Sequence, residues 1–256
     1  MYNKYRMLLT LSSDLAQDVQ SNGGQFTTTL AQPIQLDTSK EYECALVYLS
    51  LYYSMPNISA TKGNNTFSYS PDSGTTVKPV VIPDGTWSLP DINAFFKQTM
   101  IDNGDFTGTD TVFIELLADF NTLRTQLEIT SGTYQITFPA GFASLIGFTP
   151  GTYTSSQQGQ NLVDITDGSN LWTVSVPDLI TANYRGSQRS SVIFTWSPNL
   201  PPGSLLTYEP SNLVYTPIVK NYVIQKLTVR IADQLDRVAD MRDEVVSVVL
   251  HIREKK

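Results

Sequence analysis

One run of residues, 42–58, constrains the fold of this chain more than any other feature, because it is apolar on both faces of a strand. The run reads YECALVYLSLYYSMPNI. Side chains alternate between the two faces of a strand, and period two assigns one face to Cys44, Leu46 and Tyr48 and the other to Ala45, Val47, Leu49 and Leu51. A strand with one solvent-facing side would alternate with polar residues. The run is therefore predicted to be covered on both sides, by layers of its own fold or by a neighbouring molecule.

The composition of the 256 residues favours a chain that takes part in subunit contacts. Charged residues make up 16%, below the roughly 25% that is usual in soluble domains, and there are 13 tyrosines. Few charges and many tyrosines indicate more buried surface than one domain needs, and oligomerisation explains this economically. The formal net charge of −7 opposes nucleic-acid binding, which depends on a surplus of Lys and Arg.

The cysteine count and the hydropathy pattern limit where the chain can work. Cys44 is the single cysteine and cannot form an internal disulfide, which permits a reducing compartment. The N-terminus lacks the apolar core of a secretory signal. No apolar run approaches the roughly 20 residues of a membrane helix, so no membrane span is expected.

Short β-runs, separated by turns rich in Gly, Pro, Asn and Asp, occupy both ends of the chain. The predicted strands are 7–13, 26–36, 42–58, 65–70, 226–231 and 246–253. The last two alternate apolar with polar residues, which is typical of strands buried on one face. Prolines predict a long irregular connection over residues 201–217. Together these runs predict an antiparallel β-sandwich.

The middle of the chain predicts a small α+β unit that interrupts the sandwich. Apolar residues at helical spacing predict a helix from Leu89 to Met100, with Ser88 as its N-cap. Strands at 80–82, 123–129 and 134–138 and a short helix at 142–148 complete the unit. The predicted divisions are 1–75 for the first part of the sandwich, 76–160 for the insertion and 161–256 for the second part.

Candidate catalytic residues are few. The only histidine, His251, lies on the polar face of the last strand and is expected to be a surface or interface residue. One His and one Cys are too few ligands for a zinc site, and motifs for phosphate loops or a serine nucleophile are missing. Asp84 and Asp91 flank a helix start, where capping explains them better than acid catalysis does. No catalytic residue, metal or cofactor is expected, and the chain is not predicted to be an enzyme.

Two further groups of residues admit a binding role. The acidic segment 233–244 is interpreted as a solvated hairpin tip with local ion pairs, and a calcium site is the alternative. Exposed tryptophans could stack on sugars in a lectin, but Trp87, Trp172 and Trp196 are scattered singly. Packing in a core or between subunits accounts for such residues more often.

The order of these segments resembles that of the penton (minor capsid) proteins of virophages and of polinton-like or adintovirus-like elements. The resemblance runs from MLLTLSSD through QFTTTLAQPIQLD and YECALVYLSLYYSMPNI to VVIPDGTWSLPDINAFFKQTM, and closes with LWTVSVPDLI, YTPIVKNYVIQKLTVRIADQ and VVSVVLHIRE. It implies a mainly β fold, a single jelly-roll antiparallel sandwich interrupted by a small α+β insertion domain. The family tends to have a glycine in the final hairpin, where this chain has DQLDRVADMRDE, which puts any contact of that tip in doubt.

The resemblance implies a structural viral capsid protein without catalytic residues. The resemblance further implies a homopentamer at the fivefold vertices of an icosahedral virion, flanked by a double jelly-roll major capsid protein. A host receptor or a vertex fibre is a further candidate partner. The candidate subunit interface is the end of the opening run, at Tyr52, Tyr53, Met55 and Asn57. Two other hypotheses remain: a jelly-roll carbohydrate- or receptor-binding module, and a carboxylate-dependent glycosidase.

Overall fold

The computed structural model describes residues 6–105, 112–180, 183–218 and 223–255. The chain divides into two compact units. The sandwich unit comprises Met1–Met55 and Ser169–Lys256, and the inserted unit comprises Pro56–Gly168. The inserted unit thus extends beyond the predicted 76–160 at both ends.

The strands and the two α-helices of the described residues fall into three groups along the chain. The sandwich unit begins with β1 (Arg6–Ser12), β2 (Asp18–Gln20), β3 (Gln25–Gln35) and β4 (Tyr42–Tyr52). The inserted unit contains β5 (Thr66–Ser70), β6 (Lys78–Val81), α1 (Leu89–Asp102), β7 (Ile114–Asp119), β8 (Arg124–Ile129), β9 (Gln135–Phe138), α2 (Ala140–Leu145), β10 (Gly151–Tyr153) and β11 (Gln157–Gln158). The sandwich unit resumes with β12 (Trp172–Ser175), β13 (Asn183–Arg185), β14 (Gln188–Ser190), β15 (Val192–Trp196), β16 (Leu205–Tyr208), β17 (Thr216–Pro217), β18 (Val223–Asp233) and β19 (Ser247–Glu254).

The strand order of the sandwich unit defines a single jelly roll. One sheet has the order β1-β19-β4-β16 and the other β15-β12-β18-β3-β2. Its eight main strands are, in chain order, β1, β3, β4, β12, β15, β16, β18 and β19. They form four antiparallel pairs: β1 with β19, β3 with β18, β4 with β16, and β12 with β15. The chain is therefore paired as one long hairpin that is rolled into two facing sheets, which is the jelly-roll arrangement. The predicted fold class, a mainly β jelly roll interrupted by an α+β insertion, is confirmed.

Strand β4 contains a bulge that changes which residues face the core. Strand β19 pairs Val249 with Tyr48 and the next residue, Leu250, with Leu46, so Val47 is an extra residue. The β4 residues in the sandwich core are Tyr42, Cys44, Leu46, Leu49 and Leu51. The prediction that put Leu49 and Leu51 on the face opposite Cys44 is therefore wrong, because one extra residue reverses the alternation beyond it.

The last strands place their apolar residues as their alternation predicts. In β18 and β19 the residues at alternate positions are completely buried: Leu227, Val229, Ile231, Val248, Leu250 and Ile252. The connection predicted to be irregular over 201–217 instead contains β16, which pairs with the end of β4.

Burial raises the pKa of the Cys44 thiol to about 12, so the thiol is protonated at neutral pH.

The inserted unit has its own core between two small sheets and helix α1. The sheets have the orders β10-β9-β5-β6 and β11-β8-β7. Helix α1 begins with a capping box between Ser88 and Asp91, as predicted for Ser88. The unit extends to Pro56 because Ile58 bridges to Gly85 and because β5 pairs with both β6 and β9. Among the described residues, neither α-helix has the length and apolar content that crossing a bilayer needs.

Candidate functional site

The face of the first sheet that points away from the sandwich core is the candidate functional site. Its residues alternate with the core residues of β1, β4, β16 and β19, and we call it the outer face. Three rows that cross these strands hold only apolar and small hydroxyl side chains: Thr10, Val249 and Tyr48; Ser247, Ser50 and Thr207; and Tyr52 with Leu205. Leu8 lies in the next row, with His251 and Ala45, and the row beyond it is charged, with Arg6, Arg253 and Glu43.

The apolar residues of the outer face are substantially exposed. Leu8 is 63% exposed, Tyr52 41% and Leu205 47%, and Tyr52 lies directly opposite Leu205 on the neighbouring strand. A sheet face in contact with water normally carries polar residues. Tyr52 and Leu205 form one exposed apolar pair, while Leu8 lies further along the sheet, in the row of Ala45. Adjacent exposed apolar side chains are typical of surfaces that bind another protein.

One end of the outer face carries a charged and aromatic group, which we call the His251 cluster. The Arg253 Nε donates to Glu43 Oε1 over 2.6 Å, and the Arg253 guanidinium carbon lies 3.3 Å from the centre of the Tyr215 ring. The Tyr215 hydroxyl and His251 Nδ1 are 2.7 Å apart. These contacts join strands β4 and β19 to the segment that precedes β17, so they hold this end of the sheet in one arrangement.

Burial lowers the pKa of His251 below its ordinary value of 6.5, and the positive charges of Arg253 and Arg6 lower it further. The native state therefore favours the neutral imidazole. Its contribution to stability is fully present above pH 6.5 and is lost as the pH falls through the native pKa. In the neutral ring, Nδ1 can accept the hydrogen bond from the Tyr215 hydroxyl.

We expect the imidazole of His251 to titrate below pH 6.5 in the folded protein. Because His251 is the only histidine, the NMR signals of its two ring C–H protons can be assigned without ambiguity and followed across a pH series. The stability lost between pH 7 and pH 5 should be smaller in His251→Gln than in the wild type, since that variant lacks the titrating group. A titration midpoint at or above 6.5 would show that burial and the nearby arginines do not disfavour the imidazolium.

The four residues predicted as a subunit interface lie in different environments. Tyr52 is exposed on the outer face. Tyr53 is partly buried against the sandwich core, and its backbone N–H donates to Ser204 O over 2.9 Å. Met55 is buried in the sandwich unit. Asn57 is buried in the inserted unit, where its side-chain amide donates to Trp87 O and Ile165 O, both over 2.7 Å.

The exposed residues Leu8 and Leu205 were missed by the sequence analysis. Leu8 lies in a run whose neighbours Leu9 and Leu11 are buried, so alternation within 7–13 could have placed it on the outer side. Leu205 follows Pro202 and Gly203 and precedes Pro210, in a stretch that shows no alternation of apolar and polar residues. Its position depends on the pairing of β16 with β4.

The acidic segment 233–244 forms local ion pairs, as interpreted from the sequence, but its first carboxylate is not solvated. Asp233 is buried and accepts from Arg237 Nε over 2.7 Å and from Ser169 Oγ over 3.0 Å. Burial alone would raise the pKa of Asp233, but the bonds from Arg237 and Ser169 together hold it below its ordinary value. Asp236 pairs with Arg230 over 2.6 Å. Within the described ranges, no group of three or more His, Cys, Asp or Glu residues could hold a metal ion.

The other residues considered for chemistry have structural contacts. Asp91 completes the helix cap of α1, and Asp84 Oδ1 accepts from the backbone N–H of Ala60 over 2.8 Å. Trp172 and Trp196 are buried in the sandwich core and face each other across β12 and β15. Trp87 packs against the core of the inserted unit. The two buried indoles do not offer an open face to a sugar.

No protein-family model and no curated protein sequence matches the chain. Among solved structures, the chain is similar to the crystal structure of the mavirus penton protein, with a TM-score of 0.49 and 8% sequence identity. The alignment covers 98% of this chain and 100% of that chain. The jelly roll itself is defined by the strand pairing of this chain and does not depend on the likeness.

Proposed function

We propose that this chain is a structural capsid protein that acts by self-assembly, as a pentamer at the fivefold vertices of an icosahedral virion. The observation that carries the proposal is the exposed apolar outer face of the jelly roll. The segment order that resembles the penton family supports the same function. In this proposal the vertex is completed by a double jelly-roll major capsid protein around the pentamer.

The geometry of a closed ring assigns the outer face a specific task. In a cyclic pentamer each subunit contacts its neighbour through two different surfaces, which must be complementary. The centre of such a contact excludes charged residues and favours aromatic ones. The rows around Tyr52 and Leu205 meet both requirements, so we assign one of the two surfaces to this part of the outer face.

Of the residues predicted for the interface, we keep Tyr52 at its centre and Tyr53 at its edge. Met55 and Asn57 are buried within their own units, where they support the backbone on either side of the boundary at Pro56. Leu205 joins the interface because its side chain lies opposite Tyr52.

The replacement Tyr52→Asp should abolish assembly while leaving the fold intact. An unpaired carboxylate in a closed interface costs several kcal/mol, which corresponds to a loss of association of roughly 100-fold or more. Light scattering coupled to size exclusion should give the wild type a mass near five times 28.4 kDa, and the variant the mass of a monomer. Leu205→Asp should behave as Tyr52→Asp does.

The matched control is Val77→Asp, which places the same charge at an exposed apolar residue of the inserted unit. It should assemble as the wild type does. If Tyr52→Asp and Leu205→Asp keep the wild-type mass, the outer face is not the interface. If the wild type stays monomeric at every concentration and also fails to enter shells formed with the major capsid protein, the penton function is wrong, and a jelly-roll binding module becomes the better explanation.

A further inference from the structure

The net charge of the chain lies entirely on the inserted unit. Residues 56–168 hold four Lys and Arg against eleven Asp and Glu, which gives −7. The sandwich unit holds thirteen of each and has no formal net charge. A field of one sign on one unit favours partners of the opposite sign and steers their approach.

An apolar groove of about 440 Å³ opens on the surface of this acidic unit. It lies between the start of α1, the tip that joins β7 to β8, and the segment 162–165. The side chains of Phe120, Leu123 and Leu162 line it and are 80%, 61% and 59% exposed. The inserted unit already has a separate aromatic core, so these three residues are not needed to fill it.

The tip that carries Phe120 and Leu123 is held by local hydrogen bonds and is strained at Leu123. Asp119 Oδ1 accepts the backbone N–H of Asn121 over 2.9 Å, and its Oδ2 accepts the Thr122 hydroxyl over 2.7 Å. Leu123 has a φ of +55°, a left-handed conformation that costs a leucine energy and that glycine adopts freely. Strain of this kind is often kept where a side chain is needed for binding.

One carboxylate, that of Asp119, lines the groove. Asp91 and Asp164 lie beside lining residues in sequence, but their carboxylates accept hydrogen bonds from Ser88 and from Thr166 and Gly168, respectively. The hydrogen bond from the Thr122 side chain, with further bonds from the backbone of Asn121, holds the pKa of Asp119 below its ordinary value. Arg124 also lines the groove, where its guanidinium donates to Gly159 O over 3.3 Å. The lining therefore carries one negative and one positive charge, and the excess of negative charge belongs to the inserted unit as a whole.

We propose that this groove is a docking site for a polypeptide segment that carries Lys or Arg beside aliphatic or aromatic side chains. The apolar side chains enter the groove against Phe120, Leu123 and Leu162, and the basic ones are attracted by the net charge of −7 on the inserted unit. Apolar burial supplies the affinity, and the charge selects against acidic segments and nucleic acid. The fixed tip lowers the cost of ordering on binding. The site needs no assembled ring, so it is independent of the function proposed above.

The test is a selection with a library of random twelve-residue peptides displayed on phage, using the full-length chain as bait. The double variant Phe120→Ser, Leu123→Gly serves for counter-selection. Both changed residues are exposed, and glycine removes the strain at position 123, so the variant should fold. Val77→Ser, an exposed apolar residue of the same unit outside the groove, is the matched control.

We expect peptides that bind the wild type and Val77→Ser, lose about tenfold or more in affinity for the double variant, and are enriched in Lys or Arg together with Leu, Phe or Trp. Their affinity should fall as salt is added. Peptides that bind the double variant equally well, peptides without basic residues, or no peptide that distinguishes the two proteins would each overturn the proposal. The double variant should keep the wild-type mass in light scattering, so this result is separate from the test of assembly.

Discussion

Replacing Phe138 by alanine should lower the free energy of unfolding of the inserted unit by about 3–5 kcal/mol. Phe138 is completely enclosed in the core of that unit, where its ring lies 5.2 Å from Phe148, 5.5 Å from Tyr153 and 5.8 Å from Phe142, between ring centres. Alanine would remove this burial and leave a cavity that rigid aromatic neighbours cannot fill. Urea unfolding followed by circular dichroism would give the change in free energy.

Hydrogen exchange would show where the Phe138→Ala effect lies. Amides of 56–168 should lose protection, and amides of the jelly roll should keep it. Phe120→Ala is the matched control, because it removes the same ring from an 80% exposed position and should change stability by less than about 0.5 kcal/mol. Equal losses in the two variants would mean that the rings around Phe138 do not form the centre of the core.

Replacing Gly141 by alanine should destabilise the inserted unit by about 2–3 kcal/mol, although the residue lies in a helix. Helix propensity alone favours alanine over glycine by about 1 kcal/mol. A Cβ at position 141 would lie 2.1 Å from Gly63 O and 3.2 Å from Asn64 Cα. Both atoms belong to the backbone, so either α2 or the segment 63–64 must shift. The steric contact therefore outweighs the gain in propensity.

Gly132→Ala is the control for this substitution, because a Cβ there meets nothing within 4 Å. It should leave the free energy of unfolding unchanged or raise it by up to about 1 kcal/mol, because alanine gives the unfolded chain less conformational entropy than glycine does. Thermal unfolding of the two variants side by side would give the comparison. A Gly141→Ala protein as stable as Gly132→Ala would mean that α2 does not approach residue 63 closely.

The parts of the fold that follow a local pattern could be predicted from the sequence. Alternation in 226–231 and 246–253 identifies the buried face of β18 and β19, since neither stretch contains an extra residue. Helix α1 is likewise identified locally, by the helical spacing of its apolar residues and by Ser88 as its N-cap. Local periodicity carries this information without knowledge of the partner strand.

The parts that depend on a partner strand could not be predicted. The bulge at Val47 exists only in the register between β4 and β19, and the run itself shows no interruption there. Strand β16 is four residues long and becomes visible only through its pairing with β4. The buried positions of Met55 and Asn57 depend on where the chain changes from one unit to the other, and no composition change marks that point.

The candidate binding surfaces were the least predictable feature. Leu8 and Leu205 come from opposite ends of the chain and share the outer face only through the order of four strands. Phe120, Leu123 and Leu162 similarly come together through the folding of the inserted unit. A sequence shows that a leucine is present, but its exposure is decided by neighbours that are distant in sequence.

The position of the inserted unit, between β4 and β12, has a consequence for how the protein can change over evolutionary time. These strands belong to different sheets, so the link between them is a crossover whose length does not set the register of either sheet. In the described residues, β5–β11 find their ladder partners among themselves, and so do the strands of the jelly roll. A lineage could therefore exchange, enlarge or lose the inserted unit and keep the same jelly roll, which would let the surface of the insert diversify while the sandwich stays constant.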